Sequence, residues 1–99
     1  LSQEAIDELK QLADLSLQSV DLCLSIFADE DYDRLQEAED LEDLVDDTQE
    51  TIISNHVKRL MNATCNPMGG VVFTDMATDL ERCSDHAINI ATALSDHPS

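Results

Sequence analysis

The sequence has no tryptophan, one tyrosine and two phenylalanines, so any core it builds is aliphatic. Proline and glycine are almost missing: Pro67, Pro98, Gly69 and Gly70 are the whole set, and residues 1–66 contain neither. A run that long without breakers, rich in Leu, Glu, Asp and Gln, reads as helix. Basic residues are scarce, 5 Lys and Arg against 22 Asp and Glu, which leaves a net charge of −17. No basic surface exists to displace counterions from phosphates, which excludes direct nucleic-acid binding. The same deficit excludes adhesion to an anionic membrane face. No stretch approaches the ~18 apolar residues of a membrane helix, and no apolar region follows a basic start, so direct membrane insertion by this segment is not expected. The chain begins at Leu1 rather than Met, which fits a segment of a longer protein. Cys23, Cys65 and Cys83 are odd in number and widely spaced. They read as reduced intracellular thiols, and without a Cys-x-x-Cys pair a zinc knuckle is not expected.

What is present is periodicity. Apolar residues make up 42% of the 99, in a regular pattern that argues against disorder. A chain of this size buries a modest core, so help from a ligand or a partner chain is expected. The charge favours cations or a basic partner, and self-repulsion predicts a fold that tightens with salt or mild acid.

Asp29-Glu30-Asp31 is the best break in the long glycine-free run, because Asp caps helices better than it continues them. Asn62 through Gly70 reads as a second loop, and Pro98 as the end of the last helix. The expectation is an all-α, antiparallel three-helix bundle forming one domain over 1–99, with helices at about 2–28, 31–61 and 71–95. On helix 1 the stripe is Ile6, Leu9, Ala13, Leu17, Val20, Leu24 and Phe27, with Leu15, Leu22 and Ile26 facing nearly the opposite way. Two apolar faces on one helix suggest packing on something outside the chain. Helix 2 shows Ala38, Leu41, Val45, Thr48, Ile52 and Leu60. Helix 3 shows Phe73, Met76, Leu80, Cys83, Ala87, Ile90 and Leu94, an unbroken three–four seam that places Met76 and Cys83 in the core.

Several constellations can be set aside. The acidic turn at 29–34 lacks the glycine of a calcium loop, since its sixth position is Arg34. No Glu-x-x-His, nucleophile elbow or phosphate-binding glycine loop occurs. His56 and His86 are isolated, read as surface or bundle-edge histidines, and His97 lies in the tail. What remains is carboxylates four residues apart: Glu42 with Asp46 on helix 2, and Glu81 with Asp85 on helix 3. That spacing stacks two like charges on one face, a repulsion a cation would relieve. Reflecting the hairpin about residue 66 puts Asp46 level with Asp85. It matches Glu50 to Glu81 better than Glu42, so that choice stays open. With so many acids, a plain solvated acidic face explains the same spacing.

The run Thr78-Asp79-Leu80-Glu81-Arg82-Cys83-Ser84-Asp85-His86-Ala87-Ile88-Asn89-Ile90-Ala91 resembles the signature helix of the PhoU family, Leu-Glu-Arg-Ile-Gly-Asp-His-Ala followed by Asn-Ile. Glu42-Asp43-Leu44-Val45-Asp46 looks like the family's other Glu-x-x-x-Asp motif. His56-Val57-Lys58-Arg59-Leu60, Cys65-Asn66-Pro67 and Gly70-Val71-Val72-Phe73 are similar to the PhoU-like tail of bacterial sodium/phosphate cotransporters. The likeness spans nearly the whole chain as one three-helix repeat.

The resemblance implies a non-enzymatic regulator of phosphate uptake that binds metal, iron or zinc, at Glu42, Asp46, Glu81 and Asp85. It implies a cytoplasmic location, tethered to the inner membrane when part of a longer transporter chain. The implied partners are a transporter membrane domain or another phosphate-regulatory protein. The family has two repeats where this chain has one, so pairing with a second copy as a homodimer is expected. The usual Ile-Gly is Cys83-Ser84 here, and Ser84 is expected to widen a helix contact. Arg82 is expected to anchor the acidic cluster by an ion pair. Two other functions compete: a metal-free acidic interaction or dimerisation module, and a carboxylate-bridged metalloenzyme, which lacks a paired base or nucleophile.

Overall fold

The computed structural model describes residues 2–62 and 67–96. Helix α1 runs Gln3–Asp29, a 3-10 turn spans Tyr32–Arg34, α2 runs Leu35–Met61 and α3 runs Pro67–Asp96. All three helices pack on one another in a rod of 54 × 16 × 16 Å. Asn55 on α2 donates to Glu8 on α1 at 2.8 Å, and Ser84 on α3 donates to Ser19 on α1 at 2.8 Å. These bonds fix the up-down-up course: α2 is antiparallel to both neighbours, and α1 runs parallel to α3. The expected all-α three-helix bundle is what forms.

The ends of the helices follow local chemistry. Ser2 caps α1 by accepting from the Ala5 amide at 3.1 Å. The α1–α2 break falls at Glu30, whose φ of 51° is left-handed, and its amide reaches back to the Ile26 and Phe27 carbonyls. Asp31 makes no side-chain cap, and α2 begins at Leu35, four residues later than expected. The third helix begins earlier than expected, at Pro67 rather than 71. Proline suits a first helical position, where its missing N–H would have no partner anyway. Gly69 and Gly70 are therefore helical, not a loop. The expected loop residues 63–66, Cys65 among them, and the end of the chain at His97 and Pro98 lie outside the described residues.

The buried stripe of α1 is Ala5, Leu9, Leu12, Ser16, Ser19, Cys23 and Ile26. Ile26, read as part of a second face, is fully buried, while Leu17 and Leu24 from the expected stripe are exposed. On α3 the buried residues are Gly70, Phe73, Ala77, Ser84, Ile88 and Ala91, and Met76, Cys83, Ile90 and Leu94 are exposed. The α3 core therefore sits one residue round from the expected seam. In a rod 16 Å across, the small Ala77, Ser84 and Ala91 let α3 approach its neighbours, with the larger Phe73 and Ile88 filling the space between.

The interior divides lengthwise. One apolar cluster holds Ala5, Leu9, Leu12, Val45, Ile52, Phe73 and Ala77. The other holds Cys23, Ile26, Ala38, Ile88 and Ala91 near the α1–α2 turn. Ser16, Ser19 and Ser84 are buried between them. Beside the first cluster, His56 is only 2% exposed, a correction to its expected place at the bundle edge. Its ring stacks on Phe73 at 4.5 Å, and the Arg59 guanidinium lies 5.6 Å from the same ring centroid. Arg59 also pairs with Glu8 at 2.7 Å and Glu4 at 3.6 Å, tying α2 to α1. Burial lowers the His56 pKa, and the Arg59 charge lowers it further against smaller opposing effects of the Gly70 backbone and Glu8.

Candidate metal centre

The α2–α3 hairpin brings Glu42, Asp46 and Glu81 together. One oxygen from each lies within 4.8 Å of the others, and all three side chains are half-buried. The cause is register. Glu42 and Asp46 flank the buried Val45, and Glu81 and Asp85 flank the buried Ser84, so both pairs stand at the edge of the core. The choice left open by the sequence resolves on Glu42, since Glu50 is exposed and outside the cluster. Asp85 is half-buried and near enough for its charge to act on both Glu42 and Glu81, but it is not among the three converging side chains.

The electrostatics follow from this crowding. Glu42 is pushed up to about 7 by burial first, then by the charge of Asp46 and a hydrogen bond to it, with Asp85 and Asp43 adding to the field. Glu81 is also pushed up to about 7, here chiefly by its hydrogen bond to Asp46, then by burial and the charges of Asp46 and Asp85. Each glutamate therefore holds its proton well above the ordinary carboxylate range, and when protonated it can donate to Asp46. Arg82 does not anchor this cluster as expected. It is exposed, 4.0 Å from Asp79, and its charge is the smallest of the influences on Glu81. Ser84, buried behind Glu81 and Asp85, spends its hydroxyl on Ser19.

The donor set is oxygen only. Protons hold it together here, and a cation of higher charge would replace them, so the residues fit a metal ion. The missing nitrogen and sulfur ligands suit a hard cation better than zinc.

Residues 9–94 match the PhoU domain. This chain belongs to the PhoU domain family. The matched span contains both Glu-x-x-x-Asp pairs and most of all three helices. PhoU domains are regulatory and non-enzymatic, and their role lies in phosphate transport. No curated protein and no solved structure matches the chain. Among the described residues, no helix of this PhoU domain is long and apolar enough to cross a membrane.

Sequence reasoning placed Phe73 in the core but missed that His56 and Arg59 pack on its ring, and the part Gly70 plays there. A Cβ at Gly70 would lie 2.9 Å from His56 Nε2. The available signal was the glycine itself: a Gly inside a helix costs about 1 kcal/mol against Ala, so a packing reason should be sought.

Proposed function

We propose that this PhoU domain is the metal-binding regulatory tail of a sodium/phosphate cotransporter, on the cytoplasmic side of the membrane. Glu42, Asp46 and Glu81 would hold the metal, with Asp85 as a further ligand or a supporting charge. The observation that carries this reading is the convergence of three half-buried carboxyls whose oxygens lie within 4.8 Å of one another. Such a group retains protons toward neutral pH, and a cation would take their place. Of iron and zinc, ferric iron is the better match for an all-oxygen set. A bound ion would neutralise the cluster and brace α2 against α3, giving the bundle a stiffer state whose contacts with the transporter could restrain uptake.

The test is elemental mass spectrometry of untagged protein purified without chelators, beside a Glu81→Ala/Asp85→Ala variant. Stoichiometric metal in the first and none in the second is expected. No metal in either, with both folded, would leave an acidic helical interaction module instead. The transport half is tested in cells: removing this domain from its transporter should deregulate phosphate uptake, and unchanged regulated uptake would refute it.

A further inference from the structure

We propose that the α1–α3 edge of the bundle is a docking groove for a basic amphipathic helix supplied by another protein. The inference does not rest on the metal reading, because the carboxylates lie on the α2–α3 edge.

The groove comes from the displaced apolar residues. Leu17 is 61% exposed, and Leu24, Ile90 and Met76 are each close to half exposed or more. A cavity of about 460 Å³ opens at one end of this edge, lined by the apolar Ile6, Leu9, Ala13, Met76 and Leu80 together with Lys10 and Asp79. The Ser19–Ser84 bond sets the register of α1 against α3 and places Leu17 and Leu24 at about the heights of Cys83 and Ile90. The exposed apolar residues therefore form one stripe along the edge, from the Ile6–Met76 end to the Leu24–Ile90 end. Isolated surface leucines need no explanation, but a stripe that continues along two neighbouring helices marks a contact surface.

Charge selects the occupant. Asp7, Asp14 and Asp21 are exposed and recur every seven residues, so they form a row along the outer side of α1. Asp14 and Asp21 stand three residues before Leu17 and Leu24, one turn away on the rim of the stripe. A second copy of the chain, the occupant its single repeat suggests, would set a net −17 against −17 and bring two such rows together. A helix with an apolar face and basic flanks meets both the stripe and the row. The stripe on α1 runs from Ile6 to Leu24, about 27 Å at 1.5 Å per residue, so the occupant spans about five turns. Its Lys or Arg residues should recur about every two turns, matching the aspartates.

The test titrates the full 99-residue chain with a labelled helical peptide of about 18 residues, carrying leucines on one face and lysines flanking them. A twin with Glu in place of each Lys is the control. Fluorescence anisotropy should show binding of the basic peptide and none of the acidic one. Leu17→Glu/Leu24→Glu changes only exposed positions, so helicity by circular dichroism should be kept. In that variant binding should fall at least about tenfold, although the protein has become more acidic. General attraction between opposite charges would instead hold or strengthen binding, and that result overturns the proposal. So does failure of the basic peptide to bind. A wild-type dimer in light scattering that becomes a monomer in the variant would also overturn it, by making a second copy the occupant.

Discussion

Asp46→Asn isolates the charge on which the carboxylate cluster turns. Glu42 and Glu81 both sit near 7 instead of 4.5, and Asp46 features in each shift. The folded state therefore binds more protons than the unfolded chain between about pH 4.5 and pH 7. Stability of the metal-free protein is highest below that window, falls as pH rises through it, and levels off above about 7. One carboxyl moved by that distance corresponds to about 3 kcal/mol. Because the two glutamates share one acceptor and keep some contact with water, the whole cluster should contribute about 2 to 4 kcal/mol, not twice the single value. The asparagine substitution removes the shared charge at nearly constant volume, and the new amide can donate to either glutamate. The variant should lose part of the fall, chiefly the Glu81 share, since burial still raises Glu42, and be more stable than wild type by about 1 kcal/mol at pH 7.5. Urea unfolding followed by far-UV circular dichroism, with chelator present, measures this. General repulsion among the 22 acidic residues also weakens the fold as pH rises, but it acts almost equally on both proteins. Parallel pH curves for wild type and Asp46→Asn would refute the account.

Three further outcomes follow from packing and backbone geometry. Phe73→Ala removes the largest fully buried side chain and the ring that His56 and Arg59 both lie against. It should cost about 3 to 5 kcal/mol in denaturant unfolding, and a loss under about 1 would mean the stack is not tightly packed. Gly70→Ala gains about 1 kcal/mol of helix propensity, yet its Cβ would press on a His56 ring that is held against Phe73. The melting temperature should fall, and a rise would show that the ring can move aside. Glu30→Gly relieves a left-handed residue at the α1–α2 break, so it should be neutral or stabilising by up to about 1 kcal/mol in the same measurement.

Much of the architecture was legible because helix formation is local. The glycine-free run, the acidic break and the three–four apolar spacing fixed the number of helices, their order and their rough extent. Spacing also paired Glu42 with Asp46 and Glu81 with Asp85, and the family likeness marked them out from the other acids. The face each helix buries was not legible to the same degree. On α1 and α3 two adjacent columns compete: a greasy one with Leu17, Leu24, Met76 and Ile90, and a small one with Ser16, Ser19, Ala77 and Ser84. Hydropathy ranks the first higher, whereas close helix packing favours the second, and no single-helix pattern contains the distance between helices. The same blindness hid His56, whose burial depends on Phe73 and Gly70 from another helix.

The serine layer has a mechanical meaning. Ser16, Ser19 and Ser84 divide the interior into two apolar blocks, so the rod has a waist where its interior coheres least. Ser84 lies on the same turn of α3 as Glu81 and Asp85, which puts the carboxylates at the height of that waist. Across this level the Ser84–Ser19 hydrogen bond is the polar tie between α1 and α3. A multivalent ion gripping α2 and α3 there would act as a collar on the weakest section and turn two jointed segments into one stiff beam.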